Sequence, residues 1–240
     1  MNLIKKFRKR FKSTLFYEYF VNFFGSWKKS YAENYGEDLF VQYFFQKKNS
    51  GIYVDIGCNL PKSRSLTYLL YKKNWMGIKV DISPRSIKLN KLLRPKDINL
   101  NLSVGKDEKT IDAFIFYDNC SMNTVDKKFK VYTQKSVNKK PDIFKIKQLK
   151  LNTILENHNI KKIDYLNIDV EGNEENVLAG FTLKKYKPDL ISIEIHSKTC
   201  PPTNNKIYKY FIKSGYHLTS IYGWTYFFSK MKDKNIHFEV

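Results

Sequence analysis

The chain has 240 residues, 42% hydrophobic and 16% aromatic, enough for a real core, which excludes long disorder and a collagen-like repeat. Lys and Arg total 43 against 23 Asp and Glu, a formal charge of +20. That field favours a polyanion (nucleic acid, anionic lipid or acidic glycan) without choosing among them, and lysines spread over solvated faces account for it equally well. No run approaches the roughly 20 apolar residues that span a bilayer. The richest, Leu15 to Phe24, contains Glu18 and Asn22, and no small-residue cleavage site follows it, so no secretory leader is expected. Cys58, Cys120 and Cys200 lie far apart, which gives no disulfide framework and fits a reducing, cytoplasmic compartment.

Residues 1–30 stand apart as a basic N-terminal extension. Lys5, Lys6, Arg8, Lys9, Arg10 and Lys12 crowd its start, Ile4, Phe7 and Phe11 recur at helical spacing, and Phe16, Phe20, Phe23, Phe24 and Trp27 follow. Basic residues beside aromatics on an amphipathic helix suit peripheral contact with an anionic membrane; the alternative is a helix docked on the domain with its lysines in water.

From Glu37 the pattern becomes that of an α/β domain. A helix is expected over Glu37–Lys48, a buried strand over Ile52–Ile56, a helix over Ser65–Lys73 and a strand over Met76–Ile82. A helix over Pro84–Leu93 and a third strand over Ile98–Val104 follow. Between Gly105 and Gln148 the pattern weakens: Ile111–Tyr117 reads as a strand, and lysine-rich Asp126–Asp142 as a mobile loop. Strands resume at Ile163–Asp169 and Leu190–Ile195, with helices at Glu174–Leu178 and Lys206–Ser214. His217–Tyr222 and Thr225–Lys230, joined by Gly223-Trp224, read as a hairpin. Alternation at this pace means βαβ units and a parallel sheet.

The chemistry-bearing residues fall at the carboxyl ends of these strands, the edge where doubly wound sheets bind ligands. The first strand runs into Asp55-Ile56-Gly57-Cys58-Asn59, and the second ends at Asp81, 26 residues beyond Asp55. A glycine at such a turn lets a ligand approach the backbone, and an acid one βαβ unit later is placed to accept hydrogen bonds from ribose. The dinucleotide and P-loop glycine patterns are absent. Asp169-Val170-Glu171-Gly172 follows the fourth strand and Glu194-Ile195-His196 the fifth. Three carboxylates and an imidazole beside a nucleoside site suggest a general base or a divalent-metal site.

At these residues the sequence resembles the FkbM family of S-adenosylmethionine-dependent methyltransferases. The resemblance runs from about Tyr31 to Lys230. It rests on Tyr35-Gly36-Glu37-Asp38, Tyr53-Val54-Asp55-Ile56-Gly57-Cys58-Asn59-Leu60-Pro61, Arg94-Pro95-Lys96-Asp97, Asp164-Tyr165-Leu166-Asn167-Ile168-Asp169-Val170-Glu171-Gly172 and Ile193-Glu194-Ile195-His196, in that order. It implies a methyltransferase domain over residues 31–240 with the Rossmann-like class I fold, seven mostly parallel strands ending in an antiparallel hairpin. It implies S-adenosyl-L-methionine as cofactor, its amino-acid part held by Asp55, Gly57 and Asn59, its ribose by Asp81, and its adenine near Ser103. The implied reaction is O-methylation of a sugar or glycan hydroxyl. Because Asp169, Glu171, Glu194 and His196 converge on the donor edge of the sheet, Asp169 is expected as base or metal ligand, with the other three tuning or sharing that role. A nucleic-acid methyltransferase is disfavoured because no polar residue, Pro-Pro and aromatic sequence follows the fourth strand. A donor-binding domain without turnover is disfavoured by the intact acids.

Overall fold

The structure is a computed structural model, and it describes residues 11, 14–24, 30–32, 35–118, 120–197 and 199–230. The basic run from Lys5 to Lys12 and Trp27 lie outside the described residues. No described helix is long and apolar enough to cross a membrane.

Among the described residues, helices α1 (Leu15–Phe24) and α2 (Glu37–Phe44) precede the first strand. Then come β1 (Ile52–Ile56), α3 (Tyr68–Lys72), β2 (Met76–Asp81), α4 (Pro84–Leu93) and β3 (Ile98–Asn101). The second half of the main sheet comprises β7 (Tyr165–Ile168), β8 (Leu190–Glu194), β9 (His217–Tyr222) and β10 (Thr225–Ser229). Between β7 and β8 lie α7 (Glu174–Ala179) and α8 (Leu183–Tyr186), and between β8 and β9 lies α9 (Lys206–Lys213). The strand order is β3-β2-β1-β7-β8-β10-β9. β1, β2, β3, β7 and β8 are parallel, and β10 is antiparallel to both β8 and β9. The expected seven-stranded sheet with a terminal hairpin is therefore present. Strand order reverses between β1 and β7, which opens the crevice at their carboxyl ends.

The middle of the chain departs from expectation. Ile98–Val104 is not one strand: the chain leaves the main sheet after Asn101, and β4 (Ser103–Val104) joins a separate three-stranded sheet, β4-β6-β5. β5 spans Lys109–Ile115 and β6 spans Asp142–Leu149. The expected mobile loop over Asp126–Asp142 is mostly a helix, α5 (Lys127–Val137). Asp126 caps it by accepting from the backbone N–H groups of Lys128 and Phe129, at 2.8 and 2.7 Å, a cap that fixes a helix start. A further helix, α6 (Leu151–Asn157), packs Leu151, Ile154 and Leu155 into the core.

The central strands bury both faces, as parallel strands between helical layers do. One face carries Val54, Ile56, Ile78, Val80, Leu166, Ile168, Ile191 and Ile193 against α6–α9. The other carries Tyr53, Tyr165, Leu190 and Phe227 against Phe40, Val41 and Phe44 of α2 and against Trp75. On this second face the residues nearer the carboxyl ends are polar. Lys79, Asp55, Asn167 and Ser192 pair in register across β2, β1, β7 and β8. Asn167 Nδ2 donates to Asp55 Oδ1 at 2.9 Å, and Ser192 Oγ donates to Asn167 Oδ1 at 2.6 Å. Thr67 Oγ1 donates to Asp55 Oδ2 at 2.8 Å, and Lys79 Nζ lies 3.6 Å from the same oxygen.

Arg94 locks this layer from beneath. Its guanidinium is fully buried and donates to Asp97 Oδ2 (2.8 Å), Thr67 Oγ1 (3.0 Å), Ser65 Oγ (3.1 Å) and Tyr53 Oη (2.5 Å). Asp97 Oδ1 accepts from Tyr53 Oη at 2.6 Å. Removing one member of a buried pair strands the other charge and costs about 3–5 kcal/mol. Asp97→Asn should lower unfolding free energy by about that amount, read by urea denaturation. A loss below about 1 kcal/mol, the scale of an exposed pair, would mean that Arg94 is already balanced without it.

Candidate active site

The crevice at the β1/β7 reversal is open to solvent, with about 800 Å³ of space counting the solvent at its mouth. Gly57, Cys58, Asn59, Asp81, Ile82, Ser103, Asn123, Asp169 and Asn173 are among its walls. The turn after β1 makes this space. Gly57 has φ +81, and a Cβ there would lie 1.6 Å from the Asp169 carbonyl oxygen. Only glycine permits that close approach of the two strand ends. The N–H groups of Gly57 and Cys58 both donate to the Val80 carbonyl, at 2.8 and 3.0 Å, and Asp169 N–H donates to the Ile56 carbonyl at 2.9 Å.

Of the expected donor residues, Gly57, Asn59, Asp81 and Ser103 line the crevice, and Asp55 forms its floor. Asp55 is buried, and both its oxygens already accept from Thr67 and Asn167. Those bonds make it a post that holds the β1 end, next to Gly57 and Asn59. Asp81 Oδ2 accepts from Asn59 N–H at 2.8 Å, and Oδ1 accepts from Ser83 N–H at 2.7 Å. Each oxygen keeps a second lone pair for a ligand hydroxyl. Burial pushes the Asp81 carboxyl up to about 6, against the lowering effect of those two N–H groups.

The expected catalytic residues come together at the same edge. Asp169 lines the crevice. Glu171, Glu194 and His196 each bring one ligand-type atom to within 4.8 Å of the others. Glu194 Oε2 lies 3.3 Å from His196 Nε2, and the Glu194 carboxylate holds the imidazole above its ordinary value. Burial, then the charges of Asp169, Glu194 and Glu174, push the Glu171 carboxyl up to about 10. Glu171 also has φ +56, a left-handed conformation that a non-glycine residue holds only under constraint. The constraint is visible: Glu174 Oε1 accepts from Val170 and Gly172 N–H, both at 3.2 Å, and the Glu171 carbonyl accepts from Thr124 Oγ1 at 2.8 Å.

Several site residues carried no signal in the sequence pattern. Cys120, Ser121, Asn123 and Val125 reach the crevice from the connection before α5. The Trp224 ring lies 4.8 Å from the His196 ring, and Phe129 of α5 lies 5.7 Å from it on an adjoining contact. Trp224 is 53% exposed.

A doubly wound sheet with a crevice at its reversal and an acid–imidazole cluster on the same edge is the Rossmann-like arrangement, which binds ligands at that point. The family model for the methyltransferase FkbM domain matches residues 34–218, and the chain belongs to that family. No curated protein and no solved structure matches the chain.

If Glu171 carries its proton into the folded state, folding and ionisation oppose each other. Its folded value is raised, so native stability is lost as pH rises from about 4.5, where the unfolded carboxyl ionises, toward about 10. Glu171→Gln keeps the shape and removes that linkage. In chelator, the variant should gain on the wild type in urea midpoint as pH goes from 5 to 8. Parallel midpoints at both pH values would show Glu171 ionised in the fold.

Proposed function

We propose that this methyltransferase moves the methyl group of S-adenosyl-L-methionine to a hydroxyl of a sugar or glycan. The observation that carries the reading is the meeting, on one sheet edge, of the Gly57–Asp81 crevice with Asp169 and the Glu171–Glu194–His196 cluster. The crevice residues fit the donor. Gly57 leaves backbone room for its amino-acid end, Asn59 and Asp55 sit at that end, Asp81 has lone pairs for ribose hydroxyls, and Ser103 lies on the adenine side. The bound donor supplies an electrophilic methyl carbon. Asp169, exposed beside the crevice, takes the acceptor hydroxyl proton as the new bond forms. Glu171, held protonated by its neighbours, donates a hydrogen bond to the acceptor, and His196, raised by Glu194, donates another. Trp224 and Phe129 offer flat apolar faces to the ring carbons of a sugar. A nucleic-acid backbone would bring its phosphates against Asp169 and Glu194, which favours an uncharged acceptor at the reacting end.

A second reading rests on the 4.8 Å convergence of Glu171, Glu194 and His196. Two carboxylates and an imidazole suit a divalent cation, which would act as Lewis acid on the acceptor oxygen. Those three side chains would hold it. Turnover lost on chelation and regained with a divalent salt would favour this reading; turnover untouched by chelator leaves the acids as proton carriers.

Asp169→Asn should lower turnover about 10²–10⁴-fold, the range of general-base help, while donor affinity by calorimetry stays unchanged. Equal turnover would remove Asp169 from the chemistry. Asp81→Ala should weaken donor binding by about 1–3 kcal/mol. Ribose hydroxyls donate to the ionised carboxylate, so donor affinity should fall as pH drops through about 6. Asp81→Asn should abolish that step. A wild-type affinity flat from pH 5 to 8 would show that ribose is held elsewhere.

A further inference from the structure

Helix α1 is built inside out. Glu18 and Asn22, four residues apart on one face, are buried at 6% and 5% exposure. Phe16, Tyr19, Phe20 and Phe23, spaced as neighbours on the opposite face, are exposed at 67%, 37%, 51% and 50%. Polar anchors fix this orientation. Arg85 Nε of α4 donates to Glu18 Oε2 at 2.8 Å, Asn22 Nδ2 donates to the Glu18 carbonyl at 2.7 Å, and Lys62 Nζ donates to the Phe23 carbonyl at 2.6 Å. A helix docked only for stability would turn its aromatic stripe to the core.

We propose that this aromatic face seats the enzyme on an anionic phospholipid surface. Charge chooses the occupant. Lys5, Lys6, Arg8, Lys9, Arg10 and Lys12 immediately precede the helix in sequence, and the chain carries +20 overall. Basic residues beside an aromatic stripe complement acidic headgroups over an apolar interior. A second copy of the chain would instead bring two strongly cationic extensions together. The opposite, buried face of the helix packs toward the crevice rim: Arg85 joins Glu18 to Asp118, Ser83 Oγ donates to the Asp118 carbonyl, and Arg64, two residues from Lys62, lines the crevice. Seating α1 on a bilayer therefore leaves the crevice rim one helix diameter, ~10 Å, from the lipid surface, within reach of a lipid-anchored acceptor.

The test is co-sedimentation of the full chain with phosphatidylcholine vesicles, with and without phosphatidylglycerol, at low and high salt. The expected result is binding that needs phosphatidylglycerol, weakens with salt, and drops about tenfold or more in a Phe16→Ser/Phe20→Ser variant whose circular dichroism and donor affinity match the wild type. Should that variant fail to fold, a variant with Lys5, Lys6, Arg8 and Lys9 all changed to Glu replaces it, with the same loss expected. Wild-type protein that stays in the supernatant with anionic vesicles overturns the proposal. So does vesicle binding that survives the variants, or a dimer in light scattering that the phenylalanine variant dissolves. Donor affinity is measured in the same samples, so a failure here is distinguishable from a failure of the methyl-transfer reading.

Discussion

The crevice exists because a row of polar side chains crosses the buried sheet in register. Lys79, Asp55, Asn167 and Ser192 stand side by side on four parallel strands, and each strand is apolar around them. Buried polar groups in such a place are tolerated only when satisfied. Hydrogen bonds from Thr67, Asn167 and Ser192 do this for Asp55 and Asn167, Lys79 has only its 3.6 Å ion pair with Asp55 among the described residues, and Arg94 joins the row to Asp97 and Tyr53. A one-residue slip of any of these strands would put an amine, a carboxylate, an amide or a hydroxyl into the aliphatic face. The row therefore specifies the register that sets Gly57 against Asp169 and Asp81 against Asn59. Stability, here, is subordinate to alignment: an all-apolar layer would pack, but it would not fix where the strand ends stop.

Tension is concentrated one turn beyond that row. Asp169, Glu171, Glu174 and Glu194 crowd one edge, and Glu171 is held with a positive φ while its neighbours oppose its ionisation. Nothing in folding is gained by this. Glu174 spends its carboxylate on the Val170 and Gly172 N–H groups, which fixes the loop in the shape that turns Glu171 toward Glu194 and His196. Local strain and like-charge crowding sustained by surrounding bonds are what a site looks like when geometry is kept for chemistry.

Much of this was legible from residues alone, and the limits were physical. β1 and α4 fall on their expected bounds, Ile52–Ile56 and Pro84–Leu93, because a fully buried strand and a Ser83-Pro84 helix start leave clear patterns. Gly57, Asp81 and Asp169 were legible as residues of the crevice edge because strand ends converge by topology, while Asn59 and Ser103, which also line it, came from the family resemblance. α5 was not legible as a helix: its one buried side chain is Thr133, so no apolar stripe marks it. β6 was hidden for a related reason, since Ile143 and Phe144 are exposed while Gln148 is buried. The third strand was merged with β4 because Ile98 to Val104 is continuous in composition; Asn101 Nδ2, bonded to the Asp81 carbonyl, marks where the chain leaves the sheet. The polar row was visible only as interruptions in four strands, and pairing alone turns interruptions into a structure.

The inverted polarity of α1 follows from the same logic of alignment over economy. Arg85 must be neutralised where α4 meets the crevice rim, and it takes Glu18 on one side and Asp118 on the other. Once Glu18 is committed inward, helical periodicity forces Phe16, Tyr19, Phe20 and Phe23 outward. That exposure would be a liability for a chain that met only water. It becomes an asset at a surface where aromatic rings sit among headgroups and lysines find their counter-charges. The ion pair that steadies the crevice rim and the stripe that faces away from it are thus two consequences of one buried glutamate.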